Sequence, residues 1–124
     1  TVEDNEYPVL VCNNAVTVSS DAGVCTYSTS QLTPPVGADN CSVGTATFTP
    51  ATLALGQNTV TWTVLDGSGN SASCTQEVTV EDNEDPVLVC NSAITVSSDA
   101  GVCTYATSQL TPPVGTDNCS VGTA

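Results

Sequence analysis

One near-perfect internal repeat constrains this chain more than any other feature. Thr1-Val2-Glu3-Asp4-Asn5-Glu6 returns as Thr79-Val80-Glu81-Asp82-Asn83-Glu84, an offset of 78 residues, and the match runs on to Ala124 against Ala46. Only five positions differ between the copies: Tyr7/Asp85, Asn14/Ser92, Val16/Ile94, Ser28/Ala106 and Ala38/Thr116. A length of 124 residues alone would suggest one domain. The repeat instead divides the chain into a complete copy, residues 1–80, and the first part of another, residues 81–124. The second copy stops in mid-pattern, so the chain reads as a window on a longer array. Units this alike are expected to stack in tandem, each touching mainly its neighbours.

The charge balance is equally one-sided. There is no Lys, Arg or His against 13 Asp and Glu, a formal net charge of −13. Nothing in the chain can neutralise phosphate, which excludes nucleic acid as a partner. An anionic membrane surface is disfavoured on the same ground. No side-chain salt bridge can form, so carboxylates that meet must be solvated, protonated or bound to cations. No apolar span of membrane length and no signal peptide occurs, and a targeting segment is expected outside this window.

Seven cysteines in so short a chain point to an oxidising compartment and an extracellular or secreted location. The complete copy holds Cys12, Cys25, Cys41 and Cys74; the partial copy holds Cys90, Cys103 and Cys119, matching the first three. Without a CxxC pair or a histidine, zinc is a poor alternative to disulfides. Four cysteines allow three pairings. Cys12–Cys74, tying the first strand to the last, and Cys25–Cys41 are favoured, with Cys103–Cys119 repeating the latter.

Val and Thr dominate, and the pattern is that of strands. In Thr59–Leu65, Val60, Trp62 and Val64 share one face and threonines the other. After the loop Asp66-Gly67-Ser68-Gly69-Asn70, Ser73–Val80 reads as the returning strand of a hairpin. Val9–Val18, kinked near Asn13-Asn14, then Val24–Leu32 and Val43–Phe48 read as further strands. Leu55–Asn58 reads as a tight turn, and residues 49–54 carry no clear pattern. The expected fold is all-β: tandem immunoglobulin-like β-sandwich repeats, stapled by disulfides. Val11, Val18, Val24, Phe48, Leu55, Val60, Trp62, Val64 and Val78 are the expected core. Trp62, mid-strand on an alternating face, belongs in the core rather than on a sugar-stacking surface.

Strand directions gather acidic loops at one end. The first strand leaves the entry end and the second returns, which brings Asp39-Asn40 back there. The Trp62 strand also returns, carrying Asp66 and Asn70 to the same place. The entering linker Glu3-Asp4-Asn5-Glu6 starts there too, and Glu81, Asp82, Asn83, Glu84, Asp117 and Asn118 repeat the set. Oxygen-only donors suit Ca²⁺ and are poor ligands for transition metals. The expectation is a calcium site at each junction that stiffens the linker. The same segments also read as a plain polar linker, and Asp21 and Asp99 as turn formers. Asn40-Cys41-Ser42 and Asn118-Cys119-Ser120 match the glycosylation pattern formally but place a disulfide candidate at its centre.

Several stretches resemble the hyalin-repeat (HYR) domain: Asp4-Asn5-Glu6-Tyr7-Pro8, Val11-Cys12, Gly56 to Val64, and Asp66-Gly67-Ser68-Gly69-Asn70 leading to Cys74. The resemblance covers the whole repeat. The added Asp39-Asn40-Cys41 segment is similar to bacterial versions in giant surface adhesins. The linker Glu81–Pro86 is less closely similar to the calcium-binding linkers of cadherins. The resemblance implies an immunoglobulin-like sandwich, a Cys12–Cys74 bond, a role in adhesion and no enzymatic activity.

No His or Lys is present to activate a Ser or Thr nucleophile, so the residues themselves argue against an enzyme. The leading expectation is a structural or adhesive repeat of an extracellular filament or stalk. Its partners would be neighbouring repeats, other copies of the fibre, and a surface glycan or protein. The alternative is an accessory carbohydrate- or protein-binding module of a secreted enzyme.

Overall fold

The computed structural model describes residues 1–124. It is all-β apart from two short 3₁₀ turns, Thr29–Gln31 and Thr107–Gln109. The chain forms two compact units, Thr1–Asn83 and Glu84–Ala124.

The first unit is built on a long hairpin. Strands β7 (Gly56–Leu65) and β8 (Ser71–Glu81) pair antiparallel along their full length, from Gly56↔Val80 to Leu65↔Ser71. The alternation read from sequence holds: Val60, Trp62, Val64, Gln76, Val78 and Val80 are buried. Thr59, Ser73 and Thr75 stand on the outer face. That face is laced by hydroxyls: Thr59 Oγ1 donates to Glu77 Oε1 at 2.8 Å, and the Thr63 and Ser73 hydroxyls lie 2.9 Å apart. β2 (Val16–Ser19) runs parallel to β8, and β5 (Thr47–Thr49) antiparallel to β7, giving the order β2-β8-β7-β5.

The apolar face of this sheet is closed by β3 (Thr26–Ser28) paired with β6 (Thr52–Ala54), and by Leu32. Leu53 is fully buried against Val60, Trp62, Val78 and Val80. Phe48 meets Trp62 edge-on, ring centroids 5.6 Å apart. The indole N–H of Trp62 donates to Gln76 Oε1 at 3.0 Å, and Gln76 Nε2 donates to the Asn14 carbonyl at 3.0 Å. A buried glutamine thus satisfies the one polar atom of the tryptophan and ties β8 to the segment before β2. A third small pair, β1 (Val9–Leu10) with β4 (Gly37–Ala38), completes the unit.

Cys12 and Cys74 are bonded, with Cα atoms 5.7 Å apart and a sequence separation of 62. Closing a loop of that length stabilises the fold by about 4 kcal/mol in the chain-entropy account.

Several sequence expectations need correction. Residues 49–54 are not featureless: they hold β6 and its core residue Leu53, entered through a cis Thr49–Pro50 peptide. The tight turn at Leu55–Asn58 is instead the start of β7, with Gly56 at φ +98° making the reversal. That φ disfavours any side chain. Val11, Val24 and Leu55 are exposed; Leu53, Val80 and Leu32 take the core places assigned to them. Val9–Val18 splits into β1 and β2, and Val24–Leu32 becomes β3 followed by a 3₁₀ turn.

The Cys25–Cys41 bond does not form: Cys41 is a free thiol, as are Cys90 and Cys103. Cys103–Cys119 is therefore absent too. Cys25 sits in the turn Asp21–Thr26, beside Glu81 at the end of β8, where Asp21 N–H bonds the Thr26 carbonyl and Ser20 N–H the Glu81 carbonyl. Cys41 sits at the other pole, with Asp4 and Asp39. The ladder between the poles is about 30 Å long at ~3.4 Å per residue, far beyond the reach of a disulfide.

The second unit repeats the beginning of the first. β9 (Val87–Leu88) pairs with β10 (Gly115–Thr116) as β1 does with β4. The turn-forming aspartates also match: Gln31 Nε2 donates to Asp21 Oδ1 at 2.6 Å and Gln109 Nε2 to Asp99 Oδ1 at 2.7 Å.

Candidate metal centre

The entry pole of the first unit is made by three segments. The linker supplies Asp4, the loop after β4 supplies Asp39 and Cys41, and the β7–β8 turn supplies Asp66 and Asn70. Backbone bonds hold the segments in place. Val43 bridges to Asp66, and Gly44 N–H donates to the Leu65 carbonyl at 2.9 Å. Asn70 Nδ2 donates to the Asp4 carbonyl at 3.2 Å and to Asp66 Oδ2 at 2.8 Å. One amide side chain thereby stitches the linker to the hairpin tip.

Each carboxylate is oriented by its own local turn. Asp4 Oδ1 accepts the Glu6 N–H at 3.1 Å, and Asp39 Oδ2 accepts the Cys41 N–H at 3.0 Å. Asp66 Oδ1 accepts the Ser68 and Asn70 N–H groups, both at 2.9 Å. These are Asx-type turns, and they explain the Asp-x-Glu, Asp-x-Cys and Asp-x-Ser spacings. In the first two turns the second oxygen is left over. Asp4 Oδ2 and Asp39 Oδ1 are buried and have no hydrogen-bond partner. Ligand atoms of Asp4, Asp39 and Cys41 lie within 4.8 Å of one another. The Asp4 carboxyl is close enough to Asp66 and to the Cys41 thiol to act on the titration of both.

The electrostatics follow from this crowding. Burial tends to raise the Asp66 pKa, but hydrogen bonds from the Asn70 side chain and from the Asn70 and Ser68 amides outweigh it and hold the carboxyl below its usual value. Burial, then the charge and hydrogen bond of Asp4, then Asp39 and Asp66, push the Cys41 thiol up. The same crowding disfavours a thiolate at Cys41, and the carboxylate oxygens are the donors that suit a hard cation.

The second unit repeats the Asp39 turn. Asp117 Oδ2 accepts the Cys119 N–H at 3.0 Å, and its Oδ1 is buried without a partner. Of the other expected ligands, Glu3, Asn5, Glu6, Asn40, Glu81, Asn83 and Glu84 are exposed, and Asn118 is half-buried. Asn83 Nδ2 donates to Ser19 Oγ at 2.7 Å. Cys41 was expected in a disulfide; its place two residues after Asp39 was the signal that it shares the acidic loop.

A family model, the HYR domain, matches residues 3–80. The chain belongs to the HYR domain family. That span holds the whole complete repeat, including Asp4, Asp39, Asp66, Asn70 and the Cys12–Cys74 bond. Searches of curated proteins and of solved structures returned no match. HYR modules are repeat modules of adhesion type, and the disulfide fits an extracellular setting. No helix is long and apolar enough to cross a membrane.

Proposed function

We propose that this HYR repeat is a structural, non-catalytic unit of an extracellular adhesive filament or stalk, stiffened by a hard divalent cation, Ca²⁺ foremost, at the entry pole of each repeat. One observation carries the cation: Asp4 and Asp39 turn buried, unpartnered carboxylate oxygens into one cluster beside Asp66, in a chain with no Lys, Arg or His. A cation replaces the missing basic residue and satisfies both oxygens at once. Asp4, Asp39 and Asp66 would be its ligands, with Asn70 holding the linker against the hairpin tip. Calcium accepts six to eight oxygens, so backbone carbonyls and water would complete the set.

The filament part rests on the repeat. A sequence copied with five changes over its matched length is what a tandem array of stacked modules requires. An immunoglobulin-like sandwich is supported by the parallel β2–β8 pairing, the buried Trp62 and the two sheets closed on one core. Titration calorimetry of the chain with CaCl₂ tests the cation. Saturable binding with Kd on the order of 10⁻⁴–10⁻³ M is expected, and absence of binding heat up to about ten times that range overturns it.

A further inference from the structure

The β1–β4 pair of the first unit carries an open outer face. Val9 lies opposite Ala38, and Leu10 opposite Gly37. Carried two residues towards the chain entry, that register sets Tyr7 opposite Asn40. Pro8 is buried between Tyr7 and Val9, and both neighbours turn outward, Tyr7 71% and Val9 64% exposed. Ala38 and Asn40 are exposed on the facing segment. The two-residue period of extended chain thus puts Tyr7, Val9, Ala38 and Asn40 on one face. With Glu6 and Asp39 they line a shallow cleft of about 270 Å³.

Each lining group limits what can occupy this cleft. The Tyr7 ring offers a flat apolar surface with a polar tip. The Asn40 amide is engaged by no side-chain hydrogen bond, so it presents both donors and an acceptor. Asp39 has no oxygen to spare here: Oδ2 accepts the Cys41 N–H and Oδ1 is buried. Glu6 is the exposed carboxylate at the rim. The walls are therefore mainly neutral, and a ligand must offer an apolar face beside hydroxyl donors. It must also lack negative charge, because the chain carries −13 and no basic residue. A cleft just below the ~300–1,000 Å³ of small-molecule sites suits one ring rather than a peptide.

The two copies diverge at this face. Of the five differing positions, two fall on it, Tyr7/Asp85 and Ala38/Thr116. The second unit keeps the register, with Thr116 opposite Val87. A constant scaffold with a changed face is the pattern of a recognition surface. We infer that the Tyr7 cleft binds one neutral pyranose ring of a glycan. A C–H face of the sugar stacks on Tyr7, one hydroxyl donates to Glu6, and others exchange hydrogen bonds with the Asn40 amide. This gives the adhesive module proposed above its ligand class, and it needs neither the cation nor the array.

Amide NMR of the ¹⁵N-labelled chain, titrated with the methyl pyranosides of glucose, mannose and galactose, tests the site. At least one sugar should shift Tyr7, Val9, Ala38 and Asn40 saturably, with Kd on the order of 10⁻³–10⁻² M. Asp85, Val87, Thr116 and Asn118 should not move. Tyr7→Asp, which copies the second unit, should abolish the saturable shift while the melting curve read from Trp62 fluorescence holds. Asn40→Ala leaves the stacking ring in place and should weaken binding roughly threefold or more. No saturable shift with any of the three sugars would overturn the inference, as would full binding by Tyr7→Asp. So would a methyl glucuronide, the same kind of ring with a carboxylate, that binds as well as the best neutral sugar. Tighter binding of N-acetyl-lysine methylamide than of every sugar would overturn it too, by making the cleft a cation site. A failed sugar titration leaves the calcium calorimetry standing, because that experiment contains no sugar.

Discussion

Asp39→Asn separates a ligand from a merely structural carboxylate. Asp39 uses Oδ2 for the Cys41 N–H and leaves Oδ1 buried with no partner. An asparagine keeps the shape and the acceptor for Cys41 but removes one negative charge from the cluster. Without cation, that loss relieves repulsion, so the melting temperature in chelator should hold or rise. With calcium the effect reverses. At a Kd of roughly 10⁻⁴–10⁻³ M, about 10 mM calcium stabilises the unmodified repeat by ~1.4–2.7 kcal/mol through mass action. For a unit of this size each kcal/mol moves the melting temperature by about 4–8 °C, so a rise of ~6–20 °C is expected. Asp39→Asn should lose most of that rise, whereas Glu3→Gln, an exposed carboxylate on the same linker, should keep it. Trp62 is the only tryptophan and lies in the complete repeat, so its fluorescence follows the relevant unit. An Asp39→Asn protein with the full calcium shift would refute the reasoning. A large drop in chelator would refute it too, since it would mean Asp39 supports the loop by itself.

Two other outcomes can be checked on the same material. Gln76→Leu strands the Trp62 indole N–H and the Asn14 carbonyl in the core, and should cost about 2–5 kcal/mol in urea unfolding; a change under ~0.5 kcal/mol would show that water replaces the amide. Because burial and the neighbouring carboxylates push the Cys41 thiol up, iodoacetamide at about pH 8 should alkylate it more slowly than a free cysteine derivative. Saturating calcium should speed that reaction by offsetting the carboxylate charge, and a rate that ignores calcium would place the cation elsewhere.

The central hairpin was legible because its residues alternate strictly. Val60, Trp62, Val64 and Val78 needed only period-two counting and a glycine-rich turn to be placed. The entry-pole cluster was legible in outline because strand direction alone carries Asp39 and Asp66 to the same end as Asp4. Leu53 was missed because β6 is only three residues long and follows a proline, too short for periodicity to register. Val11 and Leu55 were misplaced because an apolar residue beside a turn resembles one in a strand. The Cys25–Cys41 pairing failed for a different reason. A count of cysteines within one repeat favours it, but the strand directions put the two at opposite poles.

The most direct measurement is an anomalous difference map from crystals of this chain grown with a lanthanide in place of calcium. The account predicts a strong peak among the carboxylates of Asp4, Asp39 and Asp66, with Asp4 Oδ2 and Asp39 Oδ1 directed at it. A map with no peak there, and those side chains turned outward into water, would contradict it.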